Sequence, residues 1–410
     1  MPSKKSNIKW LWITIILIII GFVLYYLSEI FFGTIKYNGN DYLAKTDTVK
    51  NQVESTKPED VIGEMSTTIN PSTLPITHIS TPEKVKAVYM SSWVAGNLKY
   101  RDPLIKLIDE TELNSVVIDV KDSTGRIGFA VSDPELAKEN SVENRIKDIR
   151  SLTNLLHQKN IYIIGRVAVF QDPFMTNKRP EWAITKKSDG KVWKDRKGLS
   201  FLDPANKEVW KYVVRIAHDA YAQGFDEINF DYIRYPSDGN IKDINYHLAQ
   251  GATRSDNIES FFKYLSQEVK KNNNIPISAD LFGLTTEGTD DMGIGQVWEK
   301  AIPYFDFIAP MIYPSHYPSG QAGFKNPAEH PYEIINKALI GAIKKTKLMQ
   351  NQSINKIRPW LQDFDLGAKY NADMVKAQIK AVYDNGLSSW MLWDPANKYT
   401  RSALMLETLQ

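Results

Sequence analysis

The sequence predicts an α/β protein with a single (β/α)8 TIM barrel, preceded by an N-terminal transmembrane helix and a linker. Three observations lead there. Beyond Val85 eight short apolar runs alternate with helix-like stretches. Trp10–Leu27 carries no charge over 18 residues. Between these regions, Glu64–Pro82 holds eight Ser/Thr and three Pro. Strand–helix alternation repeated eight times is the pattern of a parallel sheet closed on itself. A doubly wound open sheet is the main competitor, but no Gly-rich phosphate loop follows the first strand. The expected divisions are residues 1–33 (cytoplasmic tail and transmembrane anchor), 34–82 (disordered linker) and 83–410 (barrel).

The anchor rests on length and flanking charge. At ~1.5 Å per residue, a helix over 10–27, extended by Ile30, Phe31 and Phe32, is about as long as a bilayer core is thick. Lys4, Lys5 and Lys9 precede it, which predicts a single pass with the N-terminus cytoplasmic and the barrel extracytoplasmic. No small-x-small cleavage site follows, because Tyr25, Tyr26 and Leu27 are bulky, so the helix is expected to stay uncleaved at the cell membrane. Contact with the lipid bilayer is expected through residues 10–32.

Composition narrows the chemistry. In 410 residues, 50 Lys+Arg against 48 Asp+Glu leave a formal charge of +2, which argues against a nucleic-acid partner. With 43% hydrophobic residues the chain is not disordered as a whole. Cys is absent, which excludes thiol catalysis and every Cys-ligated metal. The six His (78, 157, 218, 247, 316 and 330) show neither HxH nor HExxH spacing, and there is no GxSxG elbow or P-loop. No metal or other cofactor is therefore expected, although an all-carboxylate Ca²⁺ or Mg²⁺ site stays open.

The strand runs are Val85–Trp93, Ser115–Asp122, Tyr162–Phe170, Glu227–Pro236, Pro276–Thr285, Phe305–Pro314, Ile357–Phe364 and Leu387–Pro395. Helices are expected over Pro103–Glu112, Val142–Asn160, Ala205–Gln223, Asn257–Asn272, Gln296–Ile302, Pro331–Lys347 and Ala372–Asn385, with a last one from Ala396. The pentapeptide Asp-Pro-Ala-Asn-Lys occurs at 203–207 and 394–398, and reads as Asp capping with Pro at the first helical position.

On a barrel, reactive side chains gather at the carboxyl ends of the strands. Those ends carry Asp119, Lys121 and Asp122; Arg166; Asn229, Asp231 and Arg234; Asp280; Tyr313; Gln362 and Asp363; and Trp393 with Asp394. Strand alternation puts Asn229 and Asp231 on one face and Phe230 with Tyr232 on the other, so Asp231 should point inward. Ser278 and Asp280 likewise share a face. Inward acids on neighbouring strands form the pair that acid–base hydrolysis of a glycosidic bond requires, making Asp231 and Asp280 the catalytic candidates. Asp122, Arg166, Asn229, Tyr313, Gln362 and Trp393 are the candidates for sugar binding. Arg166 and Lys121 are available to offset the acids, while Asp119, Asp203, Asp363, Asp365 and Asp394 read as ion pairs, caps or surface charges. Among the aromatics, Phe174, Trp182, Trp193 and Tyr317 lie on loops longer than usual, where binding residues collect. Trp393 shares its face with Ser389 and Met391, which reads as the barrel floor.

Several segments together carry a resemblance. Gly224–Pro236 (GFDEINFDYIRYP) resembles strand four of the glycoside hydrolase barrels found in many membrane-anchored or secreted bacterial proteins, themselves distantly similar to α-amylase-like barrels. Val116–Asp122, Leu202–Val209, Ala309–Tyr317 and Arg358–Phe364 fit the same family, over roughly Pro82 to the C-terminus. The resemblance implies a TIM barrel with a strand-four Asp, here Asp231, as nucleophile. Strand four is also similar to the DGxDxDxE motif of chitinase-type barrels, with Asp226, Asn229 and Asp231 in the acid positions, but Ile233 stands where that motif has its catalytic Glu. A chitinase mechanism is therefore not expected.

The expectation is a membrane-anchored, extracytoplasmic glycoside hydrolase of the cell envelope, acting on a cell-wall or extracellular polysaccharide or oligosaccharide through strand-end carboxylates. The alternative is a catalytically silent carbohydrate-binding barrel at the same place, and a third reading is a carboxylate-metal hydrolase.

Overall fold

The fold is given by a computed structural model that describes residues 75–406, so the expected anchor and most of the expected linker lie outside the described residues. Among the described residues no helix is long and apolar enough to cross a membrane.

Eight parallel strands close the barrel: β1 (Lys86–Met90), β2 (Ser115–Lys121), β3 (Tyr162–Ala168), β4 (Glu227–Asp231), β5 (Ile277–Phe282), β6 (Phe307–Met311), β7 (Trp360–Gln362) and β8 (Trp390–Trp393). Each pairs with the next in sequence, and β8 returns to β1 with Met391 beside Ala87. Every predicted strand run contains one of them. Alternation sorts their side chains. Ala87, Tyr89, Val117, Tyr162, Ile164, Ala309, Trp360 and Met391 fill the interior, while Val88, Val116, Ile163, Phe230 and Leu281 pack outward.

Among the described residues, the first seven strands are each followed by a helix that leads to the next strand: α1 (Leu98–Asp109), α2 (Ile149–Gln158), α3 (Lys207–Ala222), α4 (Arg254–Lys270), α5 (Trp298–Ala301), α6 (Pro331–Lys347) and α7 (Ala372–Asp384), with further short helices in the loops at Ser92–Ala95, Pro134–Lys138 and Pro173–Lys178. Three expectations fail at boundaries. Helix α1 begins at Leu98, because the Asn97 side chain caps it by accepting from the Lys99 N–H, and Pro103 lies inside it. Residues 142–148 are not helical. Val142 bridges Ile127, and the Arg145 and Ile146 N–H groups bond the Gly128 carbonyl, so α2 starts only after its Asp148 cap. No α-helix forms from Ala396: Asp394 accepts from the Ala396 and Lys398 N–H groups and closes a turn, with a 3₁₀ turn at Arg401–Ala403. In the earlier copy of the pentapeptide, Asn206 rather than Asp203 caps α3. The echo therefore repeats a turn, and only one copy opens a helix.

The base of the barrel is closed by polar residues. Glu227 accepts two hydrogen bonds from Arg358 Nη1 at 3.0 and 3.1 Å and one from the Tyr162 hydroxyl at 3.1 Å, all fully buried. Residues 77–81, the end of the expected linker, are seated against this base. The Ile79 N–H donates to Asp226 at 2.9 Å, Thr81 meets the Tyr162 hydroxyl at 2.8 Å, and His78 stacks on Tyr221 at 3.8 Å. His157 also reaches Asp226, at 3.0 Å, and the Ile163 N–H donates to it. Burial works against the Asp226 charge, but the two histidines and the Ile163 N–H outweigh it and hold the carboxyl below its ordinary range. At the opposite pole the long loops after β3 and β4 are tied together by a small antiparallel pairing of Thr185–Lys186 with Ile244–Asn245.

Candidate active site

At the carboxyl ends of the strands lies a cavity of about 420 Å³ lined by Arg166, Asp231, Asp280, Tyr313, Trp393 and the residues between them. The rungs of β4 and β5 pair Asn229 with Ser278 and Phe230 with Ala279, so Asp231 and Asp280 follow as neighbours. Both carboxylates are inward and buried, with residue exposures of 6% and 1%.

Their surroundings differ. Asp231 Oδ2 accepts from Arg166 Nη2 at 2.6 Å and Nε at 3.1 Å, and Oδ1 accepts from the Tyr232 N–H at 2.6 Å. Tyr232 takes φ +52°, the left-handed region, which turns its N–H back onto the preceding carboxylate at a backbone cost of order 1 kcal/mol. Among the described residues no cation lies within 4.0 Å of the Asp280 carboxyl. Its Oδ1 accepts from Trp360 Nε1 at 2.8 Å and Asn229 Nδ2 at 2.9 Å. Burial, and next the charge on Asp231, push the Asp280 carboxyl well above the usual carboxylate range, against the pull of Arg166 and the two neutral donors.

Arg166 also donates to Asp119 at 2.6 Å, and Asp119 accepts from the Tyr89 hydroxyl at 2.6 Å. Burial opposes the guanidinium charge, but Asp231 and Asp119 outweigh it, and Arg166 is held well above its ordinary value. Trp393, which lines the cavity, is backed by Tyr89 stacked at 4.0 Å and lies 5.0 Å from the guanidinium, so one wall of the cavity is an aromatic ring beside a cation.

The eight candidates separate cleanly. Asp231, Asp280, Arg166, Tyr313 and Trp393 line the cavity. Asn229 lies buried beneath Asp280 as its donor. Gln362 is buried as a staple, accepting from the Ser315 N–H at 3.1 Å and donating to the Phe364 carbonyl at 2.9 Å. Asp122 does not line the cavity: it pairs with Arg145 at 2.5 Å and accepts from the Thr124 N–H. Lys121 does not offset the mouth acids. A bulge between Asp119 and Lys121 places Lys121 beside outward-facing Val167, and its ammonium pairs with Asp172 at 2.8 Å. Of the loop aromatics, Tyr317 lines the cavity, whereas Trp193 is buried against the Asn240 carbonyl, Trp182 packs near Tyr212, and Phe174 lies under Arg126. Tyr89, Asp119 and Trp360 were not singled out for the site, although alternation along β1, β2 and β7 places all three inward. Ile233 is fully buried in the outer apolar layer, so no side chain there stands in for a proton donor.

An inward carboxylate bound to a guanidinium, a second acid beside it whose burial and charged neighbour favour the protonated form, and an aromatic wall make a site suited to acid–base cleavage of a glycosidic bond. Fold and site together define the class, a glycoside hydrolase built on a TIM barrel. Residues 87–399 match the family described as "Putative glycosyl hydrolase domain", and the chain belongs to that family. Among solved structures, the chain is similar to the PgaB (BpsB) glycoside hydrolase domain from Bordetella bronchiseptica. That match has 11% identity and a TM-score of 0.59, covering 79% of this chain and 100% of that one. It is also similar to alpha-L-fucosidase isoenzyme 2 from Paenibacillus thiaminolyticus, at 10% identity and a TM-score of 0.52 over 78% of this chain and 48% of that one. A hypothetical protein from Ruminiclostridium thermocellum shares 30% identity over 50% of this chain and 98% of its own, with a TM-score of 0.43. No curated protein matches the chain.

Proposed function

We propose that the protein is an extracytoplasmic glycoside hydrolase, held at the membrane by residues 10–32, that cleaves a cell-wall or extracellular polysaccharide. Asp280 is the proton donor to the leaving oxygen, and Asp231 is the nucleophile or the base that activates water. Trp393, backed by Tyr89, supplies the stacking surface for the sugar, and Tyr313 presents its hydroxyl to the ring. The observation that carries this reading is the unlike environment of two adjacent acids. One is fixed by a guanidinium, and burial with the charge on its neighbour pushes the other carboxyl well above the usual range.

The test is release of reducing ends by the full-length chain from peptidoglycan, teichoic-acid glycans and common polysaccharides. Activity on at least one, lost in Asp231→Asn and in Asp280→Asn, supports the assignment. Activity untouched in Asp231→Asn removes it. Glycan binding that weakens in Asp231→Asn with no cleavage of any polymer would leave the silent carbohydrate-binding barrel in its place. Comparing the anomer first released with the substrate distinguishes retention from inversion.

A further inference from the structure

The cavity holds two arginines, and only one is matched by acids. Arg166 is shared between Asp119 and Asp231. Arg234, three residues beyond Asp231 on the loop after β4, lines the same cavity. Among the described residues no carboxylate lies within 4.0 Å of it. Its hydrogen bonds both leave from Nη1, to the Tyr235 carbonyl at 3.0 Å and the Ser237 hydroxyl at 3.3 Å. The Nε–H and Nη2–H groups have no acceptor among the described residues. Two rings hold the guanidinium in place, with Phe282 at 4.7 Å and Tyr232 at 5.4 Å from its central carbon.

A half-buried guanidinium is costly to desolvate unless something meets its charge. Stacking on aromatic faces offsets part of that cost and fixes the plane, leaving the fork free to bind two oxygens of one anion. Asp280 does not meet it: no ion pair joins the two within 4.0 Å, and Asp280 Oδ1 instead accepts from Asn229 and Trp360. Burial also lowers Arg234 from its ordinary value, as expected for a cation short of partners.

Resting on the glycosidase reading and extending it to the substrate, we infer that Arg234 is a specificity-determining residue that binds an anionic substituent of the glycan, a carboxylate or a phosphodiester, beside the scissile bond. The site then selects acidic glycans over neutral ones of the same backbone. A bidentate charge-assisted contact in such a site is expected to contribute roughly tenfold or more in affinity.

The experiment measures binding of the full-length chain to oligogalacturonate, a glucuronate-bearing xylan and a glycerol-phosphate teichoic acid. Each is compared with its carboxyl-reduced or dephosphorylated counterpart. The expected result is that at least one acidic member binds roughly tenfold tighter than its neutral form, that Arg234→Gln brings the two to parity, and that Arg234→Lys keeps part of the preference. Which treatment abolishes the preference identifies carboxylate or phosphate. Equal binding of acidic and neutral forms, no binding of any acidic member, or a preference unchanged in a folded Arg234→Gln overturns the inference. If Arg234→Gln does not fold, Arg234→Lys carries the test: preference equal to that of the parent overturns the inference, and a severalfold reduction supports it. Reducing-end release, followed in parallel, separates the two readings. Acid-selective binding without cleavage defeats the glycosidase assignment alone, and cleavage of neutral glycans indifferent to Arg234 defeats only the anion site.

Discussion

Asp231 and Asp280 occupy matching positions on neighbouring strands, yet a guanidinium grips the first while, among the described residues, the second accepts only from an indole and an amide. Two carboxyl groups so placed resist shared ionisation, and burial with the neighbouring charge favours the acid form of the one without a cation. Division of labour in this site comes from which neighbour each acid has, since the two residues are chemically identical.

The first prediction concerns turnover. Asp280→Asn preserves shape and the Asn229 and Trp360 contacts but removes the transferable proton. Hydrolysis should fall by about 10²–10⁴-fold with little change in melting temperature. Asp231→Asn should fall at least as far and also lose stability, because Arg166 keeps only Asp119 as a partner. Initial rates beside thermal melts check both.

A second prediction follows from the proton on Asp280. The raised value keeps the acid form populated as pH rises, and activity declines once pH passes the folded-state value, which gives the basic limb of the profile. Trp360→Phe removes a donor that favours the charged form, so that limb should move to higher pH. In the residual activity of Asp231→Asn it should move to lower pH, since the like charge is gone. A profile of kcat/KM against pH for the three proteins decides it, and shifts of the opposite sign would refute the assignment of Asp280.

Stability should carry its own pH signature at Asp363. Burial raises this carboxyl to about 6, against hydrogen bonds from the Thr400 N–H and hydroxyl. A raised carboxyl binds its proton more tightly folded than unfolded, so stability falls as pH climbs from about 4 to about 6 and stays lower above that. Asp363→Asn should flatten this change by about 1–3 kcal/mol, measured by urea unfolding at pH 4 and pH 7.

At the base, Arg358→Met strands a buried Glu227 and should cost about 3–5 kcal/mol. The double change Glu227→Leu with Arg358→Met should recover most of that loss, because no buried charge is left unpaired. Chemical denaturation of the two variants and the parent provides the comparison.

Much of the architecture was legible because period two and length are local properties. The run EINFDYIRYP places Asp231 inward without reference to any other strand, and alternation in PISADLFGLT does the same for Asp280. What alternation cannot supply is which neighbours a side chain meets once the sheet closes. Tyr89 and Asp119 come from different strands and converge on Arg166 only through the register of the barrel, so neither stood out alone. Asp122 and Gln362 had the right types at strand ends, yet Arg145 and the Ser315 N–H reach them first. Trp193 sat on a long loop, but that loop folds over its own aromatic, and an exposed tip is not what results. The turn at Asp394 used helix-opening residues, with no amphipathic stretch behind them to continue the helix.

One inserted residue in β2 has consequences for proton traffic. Were the alternation unbroken past Asp119, the Lys121 ammonium would enter the mouth, among acids whose difference depends on only one of them having a cation. A primary amine there would stabilise the ionised form of Asp280 and compete for the proton meant for the leaving group. By turning Lys121 outward to Asp172, the bulge keeps a primary amine out of the chamber and leaves the difference between Asp231 and Asp280 intact.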